Sequence, residues 1–228
     1  RQRTGFLGLQ SQLIHALDDV SLTLERGRTL AIVGESGSGK STLARGIMRL
    51  LPLDSGEVLF DGVDFLALPD QALRQARKHM QMVFQDPFAS LNPRMRVGEI
   101  IGEGLLIHGL GDARQQREHV MQMLEKVGLT AADADKYPHQ FSGGQRQRIG
   151  IARALILQPK LVVCDEPVSA LDVSVQAQIL LLLKQLQQEM GLSYLFITHD
   201  LRVVRHIADQ VLVMQKGKVI EQGSVETI

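Results

Sequence analysis

Residues 34–41 read Gly-Glu-Ser-Gly-Ser-Gly-Lys-Ser, a Gly-x4-Gly-Lys-Ser spacing set between an apolar run and a helix-period segment. Glycine lets a backbone wrap closely enough for several N–H groups to converge on phosphate oxygens, and the helix starting near Lys40 adds its positive dipole end. Gly34, Glu35, Ser36, Gly37, Ser38 and Gly39 are therefore expected to form a phosphate cradle. Lys40 would neutralise β/γ-phosphate charge, Ser41 would offer its hydroxyl to Mg²⁺, and Thr42 would reach the α-phosphate. A second chemistry-bearing pair, Asp165-Glu166, closes the run Leu161-Val162-Val163-Cys164. Ligands of open parallel sheets bind beyond that end of the strands. Asp165 is suited to hold Mg²⁺ through water, and Glu166 to orient and deprotonate an attacking water. In the third stretch, Ser142-Gly143-Gly144-Gln145 opens a helix expected over 145–157, so free N–H groups and a hydroxyl can face an anion.

The elements that must position these groups follow from periodicity. Residues 20–24 alternate apolar and polar, a turn follows at 25–28, and Thr29-Leu30-Ala31-Ile32-Val33 reads as a strand buried on both faces. The first helix is expected to run from Lys40 to near Leu51-Pro52, and residues 56–62 form a peripheral antiparallel strand closed by the Asp61-Gly62 turn. A strand-like run covers 79–84. Between 96 and 128 the pattern is helical, with Gly98, Gly102, Gly104 and the 108–111 stretch expected to divide it. Strands are expected at 161–164, 192–198, 209–214 and 218–222, and helices at 173–190 and 200–207. Strand, helix, strand in this order predicts the α/β class: a mostly parallel sheet with right-handed crossovers, a peripheral antiparallel β part and an inserted helical subdomain over about 86–158.

Composition narrows the class further. At 228 residues the chain can bury about 70% of the surface its unfolded form exposes. Twenty-five basic and 25 acidic residues leave no overall field to draw the molecule to nucleic acid, and one cysteine rules out an internal disulfide framework, pointing to a reducing compartment. No stretch approaches the roughly 20 apolar residues of a membrane span. Cys164 reads as a small core hydrophobe, and His15, His79, His108, His119, His139 and His206 share no metal-ligand spacing. Starting at Arg1 and stopping at Val225-Glu226-Thr227-Ile228, the chain reads as a segment of a longer protein.

Taken in order, the motifs resemble the nucleotide-binding domain of ABC transporters over nearly the whole chain. They comprise Walker A at 34–41, a Q-loop at Gln85 in Val83-Phe84-Gln85-Asp86-Pro87, and the signature Ser142-Gly143-Gly144-Gln145. Walker B with Glu166, a D-loop Ser169-Ala170-Leu171-Asp172, and the switch His199 in Ile197-Thr198-His199-Asp200 complete the set. The resemblance implies a P-loop NTPase core that hydrolyses ATP with Mg²⁺, two such domains sandwiching ATP head to tail between P-loop and signature. It implies that Gln85 reaches Mg²⁺ or the attacking water and reports nucleotide state to an integral membrane permease. His199 would then bond the γ-phosphate, and Asp172 would contact the opposing domain. Family members stack an aromatic on adenine; Phe6 is the upstream aromatic here, with His15 as the alternative. Residues 84–94, the Tyr137-Pro138-His139 run and residues 165–178 resemble the oligopeptide/dipeptide/nickel importer branch, although Phe141 stands where Leu is commoner. That branch implies peptide import from a solute-binding protein, with the domain at the cytoplasmic face of the inner membrane. A soluble ABC-type ATPase acting in translation or DNA maintenance is the alternative; the 102 positions from Lys40 to Ser142 leave no room for the long coiled coil of chromosome-maintenance members.

Overall fold

The computed structural model describes residues 16–227. Its centre is a six-stranded sheet in the order β4-β5-β6-β1-β7-β8. The strands are β1 (Thr29–Val33), β4 (Met80–Val83), β5 (Leu161–Asp165), β6 (Ser193–Ile197), β7 (Gln210–Gln215) and β8 (Lys218–Ser224). All neighbours pair in parallel except β7 with β8, which are joined through the Lys216-Gly217 turn. A separate hairpin of β2 (Leu59–Phe60) and β3 (Val63–Asp64) turns at Asp61-Gly62, both with positive φ, as a two-residue primed turn requires. Asp61 accepts from Arg26 and from Lys160, each at 2.6 Å, which fastens the hairpin to the sheet's near end.

Side-chain alternation along the strands divides the core. Leu30 and Ile32 of β1, Val163 of β5 and Leu195 and Ile197 of β6 face one side, where Leu43, Ala44 and Ile47 of α1 (Lys40–Ile47) cover them. Val162, Cys164, Tyr194 and Phe196 face the other side and pack with α5 (Gly143–Leu155) and α6 (Val173–Met190). Ala31 and Val33 of β1 and Val211 meet Val204 of α7 (Leu201–Ile207). Each fully buried side chain of this size contributes about 1.5–3 kcal/mol relative to exposure, so strands buried on both faces anchor the fold. Tyr194 is admitted because its hydroxyl donates to the Leu183 carbonyl at 2.9 Å.

α2 (Asp70–Ala76), which sequence periodicity did not single out, precedes β4. The segment between β4 and β5 carries α3 (Val97–Ile107), α4 (Ala113–Lys126) and α5. Gly98, Gly102 and Gly104 do not interrupt α3. A Cβ at these positions would stand 3.2 Å from Ala134, 3.3 Å from Val120 and 3.1 Å from Leu157, so they are places of close packing, and the break falls within the other expected stretch, 108–111, where Gly109 and Gly111 have positive φ. Residues 20–24 keep the expected alternation, with Val20, Leu22 and Leu24 half-buried against the core, but pair with no strand among the described residues. α1 ends at Ile47, short of the expected Leu51, because Arg49 turns left-handed at φ 52°.

Candidate active site

The sheet order brings the C-terminal ends of β4, β5, β6 and β1 side by side, and the expected site residues lie just beyond each of them. After β1 the loop turns through Gly34 (φ 151°), Gly37 (φ 81°) and Gly39 (φ 104°). A Cβ at Gly34 would lie 2.1 Å from the Met214 carbonyl oxygen, and one at Gly39 2.6 Å from that of Ala16. Glycine is therefore demanded by both space and backbone. Gly39 N-caps α1 with no side-chain acceptor, so amides of the first turn are left for a ligand.

Lys40 is 5% exposed, and its ammonium donates to the loop's own carbonyls, Gly34 O at 2.7 Å and Glu35 O at 2.8 Å. Burial holds its pKa below the usual lysine value, opposed by the nearby Glu166 and Asp165 carboxylates. Ser38 Oγ is buried without a hydrogen-bond partner in the structure. Ser41 Oγ donates to Asp165 Oδ1 at 2.8 Å. The Asp165 carboxyl is pushed above the usual aspartate range chiefly by burial and also by Glu166, against the Ser41 bond and the charges of Arg45 and Lys40. An orphaned hydroxyl, a cation held by backbone carbonyls and an uncapped helix start form a cradle that fits a polyphosphate, and the Ser41/Asp165 oxygen pair fits a hard divalent cation such as Mg²⁺. Among the described residues no group of three His, Cys, Asp or Glu gathers into a protein-only metal site.

Beside the cradle, three side chains converge. Gln85, two residues past β4, donates from Nε2 to Glu166 Oε2 at 3.1 Å. His199, two residues past β6, places Nδ1 3.2 Å from the same oxygen. Glu166 itself has φ 48°, a left-handed conformation uncommon for a residue with a side chain, and its N–H donates to Ile197 O at 3.0 Å. The conformation turns the chain sharply off β5, so that Asp165 bonds Ser41 while Glu166 meets Gln85 and His199. Gln85 is thus engaged with Glu166 rather than with the Ser41/Asp165 pair.

The signature residues are organised locally. Ser142 Oγ accepts from Gln145 N at 3.3 Å while Gln145 Oε1 accepts from Ser142 N at 3.0 Å, a reciprocal cap of α5. Asp172 likewise caps α6, accepting from Val175 N and Ser174 Oγ, and the Ser174 bond foremost holds its carboxyl below the usual range. The two caps are packed together: a Cβ at Gly144 would meet Val175 Cγ1 at 2.5 Å, and one at Gly143 would meet Leu171 at 3.4 Å. Among the described residues, then, Ser142 and Asp172 hydrogen-bond only to their own helix starts. Phe6 and His15 lie outside the described residues.

Several neighbours escaped sequence reasoning. Arg45, four residues after Ser41 on α1, acts electrostatically on Asp165, and its i,i+4 spacing is a usable signal. Met214 and Gly217, which wall the cradle through backbone atoms, carry no such signal.

Fold and site together define a P-loop nucleotide-binding protein of the α/β class, and the chain belongs to the ABC transporter family, whose model matches residues 17–169. It is 56% identical over 217 residues to the dipeptide transport ATP-binding protein DppF of Haemophilus influenzae, covering 95% of this chain and 66% of that protein. It is 55% identical over 216 residues to the oligopeptide transport ATP-binding protein OppF of Salmonella typhimurium, covering 94% and 65%. The chain thus spans just under two thirds of the length of these relatives. Among solved structures, the dimeric post-hydrolysis state of the ATP-binding cassette MJ0796 with ADP and Pi superposes with a TM-score of 0.84 at 32% identity, over 96% of this chain and 94% of that one. CbiO1 from Clostridium perfringens, part of the ABC transporter complex cbiONQ, matches with the same TM-score and identity over 93% and 83%.

Proposed function

We propose that the chain is the ATP-binding and hydrolysing unit of an ABC importer for peptides, acting at the cytoplasmic face of the inner membrane. The observation that carries the chemistry is the convergence of Gln85 and His199 on one oxygen of Glu166, next to the glycine cradle. The substrate class rests on the relatives named for dipeptide and oligopeptide transport. The chain acts as a single ATPase domain with its helical part over about 86–158 inserted in the core.

In this reading the residues 34–39 and the first turn of α1 bind the phosphates through backbone N–H groups, and Lys40 exchanges two neutral carbonyls for phosphate oxygens, a stronger charge-assisted contact. Thr42 contacts the phosphates from the first turn. Ser41 and Asp165 would hold Mg²⁺, joined by Gln85 once it leaves Glu166, and the ion would supply charge neutralisation at the phosphates. The Glu166 carboxylate orients water and takes its proton at Oε, while His199, whose Nδ1 faces that carboxylate in the nucleotide-free chain, turns its N–H to the γ-phosphate. Ser142 to Gln145 of a second nucleotide-binding domain, identical, related or fused, close the site from the opposite side, and Asp172 lies at that junction. Phe6 is the proposed partner of the base. The permease is engaged through the Gln85 to Arg94 surface, and the peptide is delivered by a solute-binding protein outside the membrane.

Phosphate release from ATP by the purified protein, with and without Mg²⁺, tests the reaction, and peptide uptake by vesicles carrying the permease tests the coupling. ATP that binds but is never cleaved, with the permease present, would refute the hydrolytic reading.

A further inference from the structure

The loop that carries Gln85 is gripped by the helix that carries Ser142. Arg146 and Arg153 stand seven residues, two turns, apart on α5 and so project from nearly one face. The Arg146 guanidinium lies 3.9 Å from the centroid of the Phe88 ring, and Arg153 lies 5.9 Å from that of Phe84 and donates to the Ser90 carbonyl. The loop is itself stiff: Asp86 Oδ1 accepts from Phe88 N at 2.7 Å and Ala89 N at 3.2 Å, and Ser90 N donates to Asp86 O. Arg146 also holds the turn that leads into Ser142, donating from Nε to Pro138 O at 2.8 Å and from Nη2 to His139 O at 3.4 Å. Its own backbone N–H closes the first turn of α5 on the Ser142 carbonyl at 2.9 Å.

A continuous path therefore runs from Glu166 through Gln85, the 86–90 turn and Phe88 to Arg146 and Ser142. Phe88 is 61% exposed, so its ring is held by the arginine rather than by the core. We propose that Arg146 and Phe88 form a positioning contact that sets the orientation of the Ser142-Gly143-Gly144 turn according to whether Gln85 is bound to Glu166 or drawn to nucleotide. Arg153, half-buried and bonded at the loop's far end, anchors the same turn so that displacement of Gln85 is delivered at Arg146. The inference rests on the head-to-tail reading above, because only an opposing ATP gives the orientation of Ser142 a consequence.

The test uses the intact protein with Glu166→Gln, which retains ATP without turnover, and reads two quantities: ATP affinity of the dilute monomer and the ATP concentration for half-maximal dimer. Phe88→Leu keeps an apolar side chain and removes the ring; it is expected to raise the dimer midpoint about 2–5-fold, the weight of an exposed cation–π contact. Arg146→Gln is expected to raise it about tenfold, monomer affinity staying within twofold in both. The pair combined should be no worse than Arg146→Gln alone, and Phe88→Tyr should restore the parent midpoint. Additive losses, or a Phe88→Leu midpoint equal to the parent's, would overturn the proposal, as would a matching loss of monomer affinity, which marks a folding effect. If the parent Glu166→Gln chain binds ATP but never dimerises, it does not pair head to tail with its own copy, and this contact's role in such a pair fails with it.

Discussion

Gln85 and Glu166, 81 positions apart in sequence, are joined by a 3.1 Å hydrogen bond because β4 and β5 lie side by side in parallel register. Val83 pairs with Cys164, so the residues two beyond each partner emerge at the same rim of the sheet. The carboxylate is thereby held by the donor end of a carboxamide.

Replacing Glu166 by Gln removes the proposed base while keeping shape and one acceptor oxygen. Steady-state phosphate release should fall by roughly 10²–10⁴-fold, with ATP affinity by fluorescence titration preserved. Turnover close to the parent rate would remove Glu166 from this role.

Lys40→Ala should weaken ATP binding about 10–100-fold, the weight of one hydrogen bond to a charged group at about 1.5–3 kcal/mol. The same change leaves the Gly34 and Glu35 carbonyls without their 2.7 and 2.8 Å donor. Calorimetric titration with ATP checks the affinity; an unaltered constant contradicts the cradle.

Asp165→Asn should raise the thermal midpoint of the nucleotide-free protein and abolish Mg²⁺-dependent turnover. Burial raises the Asp165 pKa in the folded chain. Between the ordinary aspartate value and the raised one the folded chain keeps a proton that the unfolded chain has lost, so stability falls as pH rises through that window and stays reduced above it. The asparagine variant should lack this contribution, its advantage over the parent growing with pH across the acidic range and levelling near neutrality. Scanning calorimetry from pH 4 to 8 reads it, at about 2–4 °C per kcal/mol for a chain of this size. A midpoint at neutral pH below that of the parent would contradict the account.

Two glycines should respond oppositely to alanine. Gly34→Ala drives a Cβ to 2.1 Å from Met214 O and should cost at least about 1–3 kcal/mol together with ATP binding. Gly150, within α5, has nothing within 4 Å of a built Cβ, so Gly150→Ala should stabilise the protein by up to about 1 kcal/mol. Urea unfolding of both variants decides, and a destabilised Gly150→Ala would show that the space is not available.

How far the sequence foretold this can be argued residue by residue. α6 matches its expected limits, 173–190, because both ends are written in local chemistry: Asp172 accepts from the first turn and Gly191 closes the helix at φ 66°. The Asp61-Gly62 hairpin and the strand preceding the cradle were legible for the same reason. α3 was misjudged because glycine carries two meanings, chain breaking and close approach, and only the opposing Ala134, Val120 and Leu157 decide between them. The grip of Arg146 on Phe88 spans 58 positions and rests on tertiary placement, for which no local pattern exists. Which of its candidates the site would bring together within one chain was equally beyond spacing alone: Gln85 and His199 meet at Glu166, whereas Ser142 and Asp172 stay with their own helices.

The position of β4 at the rim of the sheet has its own consequence. Among the described residues β1, β5 and β6 are each bonded to a strand on both sides, whereas β4 is bonded to β5 alone. The groups proposed to cradle phosphate or take a proton thus follow strands that cannot shift without breaking two ladders. Gln85 follows the strand that need break only one, so a lateral excursion at that end costs the sheet least, and the division between what must stay still and what can yield is already drawn in the order of the strands.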